Sequence, residues 1–174
     1  MADGTFAVLL IVFGLADMNG NYCGTDVGCL AQTSSTPRLA QSLGEVVKRR
    51  AKPASESYMR YDTGYQTGPY GHVAGLSVGE QGETWVGYGL TYRTHLGQSG
   101  LYAELHLMPG LYLDSGGFDL GGWLAFRSGI EIGYETQTGV RYAVSYDHRS
   151  HAELFEANPG IETVQFGVSV PTRN

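Results

Sequence analysis

From Tyr58 to Val170 apolar and polar positions alternate with a period of two, the signal of strands with two unlike faces. In "LYAELHLMPGLYLD", Leu101, Ala103, Leu105, Leu107, Leu111 and Leu113 fall on one face, and Tyr102, Glu104, His106, Tyr112 and Asp114 on the other. In "TWVGYGLTYRT", Val86, Tyr88, Leu90 and Tyr92 oppose Gly87, Gly89, Thr91 and Arg93. In "FRSGIEIGYE", Phe126, Ile130, Ile132 and Tyr134 oppose Arg127, Glu131 and Glu135. "SYMRYDTGYQ" and "GPYGHVAGLSVGE" alternate more weakly. The clusters Thr67-Gly68, "GEQG", "LGQSG", "SGGFDLGG", "TQTG" and "ANPG" punctuate the runs as turns. Seven strands follow in sequence, over a segment taken as residues 58–174.

The chain before Tyr58 reads differently. Residues 1–18 hold an apolar run, Phe6 to Ala16, too short for a spanning helix. Two readings stand. It has the length of a signal h-region, with Gly14-Leu15-Ala16 as a small-residue cleavage site, although Asp3 precedes it and no Lys or Arg does. Alternatively it is itself a strand. Residues 19–57 are polar and turn-rich, and "RLAQSLGEVVKRRAKP" carries a loose helical pattern. They are expected to form an irregular insert or linker with a short helix.

Two all-β architectures fit the alternation. A soluble sandwich buries its apolar faces, whereas a transmembrane barrel turns them to lipid and its polar faces inward. The polar faces carry Arg93, Glu104, His106, Arg127, Glu131 and Arg141, which a narrow lumen would let pair. Tyr recurs on the apolar faces near strand ends, where an interfacial girdle sits. The runs are about ten residues or longer, enough to cross a bilayer when tilted. The expected fold is therefore an eight-stranded antiparallel transmembrane β-barrel. Such barrels carry an even number of strands, so seven need an eighth, and the "FAVLLIVFGLAD" run is the candidate for strand one.

Composition agrees. Of 174 residues, 26 are Gly and 12 Tyr, and 16% are charged, which suits short-turned strands in a membrane more than a nucleic-acid binder. The net charge of −6 also argues against nucleic acid. Cys23 and Cys29, in "CGTDVGC", are a candidate disulfide of an oxidising compartment or else free thiols; for a metal only Asp26 stands nearby. Met108, His72 and His95 read as wall or lumen residues, and no metal site is expected.

The last hairpin breaks the pattern. Val140, Tyr142, Val144 and Tyr146 share a face that continues to His148 and Ser150, and Val164, Phe166, Val168 and Val170 share one that extends back to Glu162. Polar side chains thus occupy the apolar wall. Pairing about a centre near Phe155 sets His148 opposite Glu162, with Cβ atoms about 4.5–5.5 Å apart. Ser150 lies two residues on. Nucleophile, base and orienting acid stand in the order that acyl transfer uses. An acid and an imidazole facing lipid cost much at mid-bilayer and little near an interface. The long "HAELFEANPG" connection, against the short "TQTG", puts them at the outer end and implies an amphiphilic substrate in the outer leaflet.

"HRSHAELFEANPGIE" resembles the C-terminal signature of PagL-type lipid A 3-O-deacylases, through His148, Ser150, Ala152, Asn158, Gly160 and Glu162. The resemblance implies an outer-membrane ester hydrolase with Ser150 as nucleophile, His148 as general base and Glu162 as orienting acid. It implies no cofactor, and as partners lipid A or lipopolysaccharide and the membrane, with a homodimer left open. Where the family has Asn and Gly in its oxyanion region, this chain has His151 and Glu153. The oxyanion donor is then Asn158, His151 or a backbone N–H of the 151–160 loop. The alternative is a structural or adhesive barrel without activity, and a third reading, a soluble binding sandwich, predicts solubility without detergent.

Overall fold

The computed structural model describes residues 4–47, 54–156 and 159–172. One helix, α1 (Thr5–Asn21), precedes nine strands: β1 (Gln32–Ser34), β2 (Arg38–Val47), β3 (Ala54–Thr67), β4 (Tyr70–Gly79), β5 (Thr84–His95), β6 (Leu101–Leu113), β7 (Leu124–Glu135), β8 (Arg141–Ser150) and β9 (Ile161–Pro171). From β2 to β9 each strand pairs antiparallel with the next, and β2 pairs with β9 to close an eight-stranded barrel. The short β1 adds to the end of β3. Closure leaves no edge of unpaired N–H and C=O groups, the condition for strands to cross lipid.

The seven strands expected after Tyr58 are β3 to β9. The eighth is not the N-terminal apolar run. It is β2, within the stretch expected to be an irregular insert, so the barrel wall begins at Arg38. The reason lies in the spacing of Leu39, Leu43, Val46 and Val47, which is that of a helix face. In the barrel Arg38 and Ala40 are buried while Leu39, Leu43 and Val47 are exposed. The polar Gln41 and Glu45 share the outer face and mask the alternation. Pairing of β2 with both β3 and β9 overrides the helical spacing. The expected short helix and linker give way to β1 and β2; the KRRAKP stretch, 48–53, lies outside the described residues.

The apolar run is helical instead. α1 lies along the outer wall over β5, β6 and β7. Its Phe6 ring meets Tyr146 edge-on at 5.9 Å, and the Tyr70 hydroxyl donates to the Ile11 carbonyl at 3.4 Å. Tyr70 occupies the space where a Cβ at Gly14 would fall. Val8, Ile11, Val12, Phe13 and Leu15 are exposed on the side away from the barrel. Among the described residues no helix is long and apolar enough to cross a membrane by itself. After α1, Cys23 and Cys29 are joined as a disulfide.

The lumen is packed rather than open. At one end Tyr58, Val73, Trp85, Met108, Tyr112, Leu120, Ala125 and Ile161 form an apolar cluster. Glycines admit the inward rings: a Cβ at Gly110 would lie 2.6 Å from the Trp85 indole of this cluster, and one at Gly133 2.4 Å from the Tyr102 ring farther along the lumen. Along the rest of the lumen the inward charges pair, as the polar faces predict. Arg60 contacts Asp62, Glu104 and Glu131 at 3.0–3.3 Å, Arg93 pairs with Glu104, and Arg141 holds Glu135 at 2.7 Å. The outer face carries Leu, Val, Phe and Tyr side chains, among them the exposed Tyr65, Tyr134 and Tyr142 near the end with short turns. His72 sits in the wall between Thr67 and Tyr88, Met108 in the lumen, and His95 at an exposed strand end.

Candidate active site

The polar break in the apolar wall lies where β7, β8 and β9 approach the end of the barrel with the long connections. His148 and Glu162 are directly opposed across the β8–β9 ladder, the register that a centre near Phe155 predicts. Neighbours in that ladder alternate in and out: Asp147 and Arg149 are buried in the lumen, and Val144 and Phe166 are exposed outside. His148 and Glu162 therefore share the outer wall. Tyr146, two residues from His148 on the same face, is the diagonal cross-strand neighbour of Glu162. The carboxylate thus has a tyrosine beside it and an imidazole opposite it.

Ser150 ends β8, pairs with Phe126 and is 8% exposed. It follows His148 by two residues on the same face, about 7 Å along the strand. Both line a cavity of about 430 Å³ with Leu107, Phe126, Ser128 and Ala152, which α1 borders through Gly4 and Ala7. The lining is mostly apolar with a few polar groups converging, the usual make-up of a small-molecule site.

The loop turns sharply once past the serine. Ala152 (φ 52°) and Glu153 (φ 62°) are both left-handed, a conformation that costs a non-glycine residue about 1–3 kcal/mol. The His151 side chain is fully buried. Its ring packs edge-on against Phe155 at 5.1 Å, and the Phe155 N–H reaches its Nδ1 at 3.4 Å. His151 thus pins the loop from beneath and is not among the residues lining the cavity. Asn158 lies outside the described residues. At the far end of the loop Gly160 (φ 61°) backs onto the His148 imidazole, where a Cβ would stand 3.0 Å from His148 Cε1.

A buried charge network holds these strands from inside. Glu56, on the opposite wall, accepts from Arg127 of β7 at 2.9 Å, Arg149 of β8 at 2.5 Å and Gln165 of β9 at 2.8 Å. Arg127 also reaches Asp147 at 2.6 Å, and its guanidinium lies 3.8 Å from the centre of the Tyr58 ring. His106 Nε2 stands 3.0 Å from Asp147 Oδ1. Two of these inward residues are next in sequence to outward site positions, Arg127 to Ser128 and Arg149 to both His148 and Ser150. The lumen therefore fixes the register on which the outer row depends.

Sequence reasoning did not single out three of these groups. Tyr146 looked like one more wall tyrosine, and Glu56 lies in the stretch taken for a linker. Ser128 interrupts Phe126, Ile130, Ile132 and Tyr134 on one face, and that interruption was the available signal.

The sequence model of the family described as lipid A 3-O-deacylase (PagL) matches residues 48–171. The chain belongs to the PagL family. The match takes in β3 to β9 and the whole His148–Glu162 hairpin, and leaves α1, β1 and β2 outside. No curated protein sequence matches the chain. In structure it is similar to the crystal structure of the outer membrane enzyme PagL, with TM-score 0.63 at 18% identity, covering 78% of this chain and 99% of that one. It is also similar to a structure from the de novo design of transmembrane β-barrels, with TM-score 0.59 at 8% identity over 80% of this chain and 98% of that one. The Neisserial surface protein A structure matches with TM-score 0.53 at 12% identity, over 81% and 99% of the two chains. At these identities the structural likeness speaks for the barrel, and membership of the PagL family rests on the sequence match.

Proposed function

We propose that this protein is an outer-membrane esterase that removes the 3-O-linked acyl chain of lipid A. The observation that carries the reading is the direct pairing of His148 with Glu162 on the outer wall, beside a cavity that Ser150 lines. Family membership supplies the substrate class.

In this reading His148 takes the Ser150 proton as Ser150 Oγ bonds to the ester carbonyl carbon. Glu162, with Tyr146 beside it, keeps the imidazole oriented and stabilises its charged form. Collapse of the tetrahedral intermediate breaks the bond to the sugar oxygen, which leaves with the proton from His148. Water, deprotonated by the same imidazole, then clears the acyl-enzyme. The steps require no metal or cofactor. Asn158 remains the proposed loop donor to the oxyanion; His151, buried under Phe155, serves the loop's shape instead.

The depth of the site fits a lipid substrate. It lies toward the long 114–123 and 151–160 connections, while the opposite end closes with the short turns at 68–69, 96–100 and 136–140. Long loops face outward in such barrels, so the ester is met at headgroup level in the outer leaflet, with its acyl chain against the apolar wall. The test is release of a 3-hydroxy fatty acid from purified lipid A, followed by mass spectrometry of both products. A structural or adhesive barrel without activity is the alternative the same assay separates, since it leaves the lipid mass unchanged.

A further inference from the structure

We propose that Ser128 is a further catalytic residue, whose hydroxyl donates a hydrogen bond to the oxyanion formed when Ser150 attacks the ester; this rests on the reading of Ser150 as nucleophile.

The outward positions of β7 run Phe126, Ser128, Ile130, Ile132 and Tyr134, and Ser128 is the one small polar residue among them. It is 4% exposed and lines the same cavity as His148 and Ser150. Its cross-strand partners are Leu107 on β6 and His148 on β8. One row across the wall therefore reads Leu107, Ser128, His148, Glu162, with the imidazole flanked by a carboxylate on one strand and a hydroxyl on the other. Ser150 pairs with Phe126 and so lies diagonal to Ser128.

That diagonal suits the chemistry. Diagonal neighbours on a sheet face have Cβ atoms roughly 7–8 Å apart or somewhat less, and two hydroxyls turned toward each other narrow the gap. A tetrahedral carbon bonded to Ser150 Oγ fits between them, with its oxyanion at the separation of about 2.7–3.1 Å that a stabilising donor needs. During attack the carbonyl π pair moves onto that oxygen and the Ser150 proton goes to His148. Ser128 keeps its own proton throughout and only donates the hydrogen bond. Leu107, Phe126 and Ala7 of α1 line the same cavity, and in such apolar surroundings a donor counts for more than in bulk solvent. The position beside the nucleophile does not serve, because His151 is turned into the loop.

The experiment compares wild type, Ser128→Ala, Ser128→Thr and Ser150→Ala in detergent micelles with purified lipid A. The site of a long-chain alkyl fluorophosphonate adduct is mapped by peptide mass spectrometry. Ser128→Ala is expected to lower kcat about 10²-fold, the usual loss of one oxyanion donor, with KM and the pH–rate profile unchanged and the adduct still on Ser150. Ser128→Thr, which keeps a hydroxyl, is expected to recover most of that loss. Wild-type kcat in Ser128→Ala overturns the proposal, and so does a loss accompanied by a displaced pH–rate profile, the mark of a residue that only holds the imidazole. An adduct on Ser128, or full activity in Ser150→Ala, overturns the nucleophile reading as well. A wild-type Ser128→Ala beside a dead Ser150→Ala removes the Ser128 role alone.

Discussion

His148 and Glu162 face each other across the β8–β9 ladder, and both lie on the outer face of the barrel. Where that face meets lipid, an imidazole and a carboxylate in register would carry a cost that a position near the membrane interface, and a use for them, would offset. If Glu162 orients the base, Glu162→Gln keeps the shape and removes the charge. Deacylation is expected to fall roughly 10²–10⁴-fold, as when the acid of such a triad is neutralised. Initial rates of fatty-acid release, with folding checked by the heat-dependent gel shift of the barrel, measure it.

Tyr146 acts at one remove. Its side chain is the diagonal neighbour of Glu162 across the β8–β9 ladder, and a hydrogen bond from its hydroxyl to the carboxylate would contribute about 1.5–3 kcal/mol. Tyr146→Phe is therefore expected to slow deacylation roughly 10- to 100-fold. In the Glu162→Gln background the same change is expected to cost far less, because the two residues act through one bond. A double-mutant comparison of initial rates reads this directly.

Gly160 tests the packing behind the base. A methyl there meets His148 Cε1 at 3.0 Å, and the φ of 61° is itself unfavourable for alanine. Gly160→Ala is expected to reduce kcat while the barrel stays folded, because the imidazole must shift by a few tenths of an ångström. Equal activity in the variant contradicts the placement of the loop end against the base.

Glu56 tests the internal clamp. Its replacement by Ala leaves Arg127 and Arg149 buried without the carboxylate they share, a change that costs about 3–5 kcal/mol in comparable buried pairs. Glu56→Ala is expected to lower the urea midpoint of unfolding in lipid vesicles, and Glu56→Gln to lower it less.

Much of this was readable in the sequence because strands write their faces at every second residue. The inward Arg127, Glu131, Glu104 and Arg141 and the outward Leu and Tyr positions follow from that period, and the pairing of His148 with Glu162 follows from a hairpin centred near Phe155. β2 was not readable. Leu39, Leu43, Val46 and Val47 fall at helical spacing, and only the need of β3 and β9 for a partner makes the segment a strand. The apolar run at Phe6 gave no clear period, and it is a helix against the wall rather than a strand within it. Glu56 gains its meaning from β7, β8 and β9, distant in sequence, and no local pattern reveals that. Ser128 interrupts the outward run of Phe126, Ile130, Ile132 and Tyr134, and no neighbour in sequence links it to His148, which lies on the next strand.

The central claim is that Ser150, on the outer wall, cleaves an acyl ester of lipid A. The most direct measurement incubates wild type and Ser150→Ala with purified lipid A and weighs the lipid by mass spectrometry. Wild type is expected to convert the lipid to a species lighter by one 3-hydroxyacyl group, with the free fatty acid recovered, and Ser150→Ala, equally folded, to leave it intact. Unchanged lipid with wild type, or equal conversion by the variant, contradicts the account.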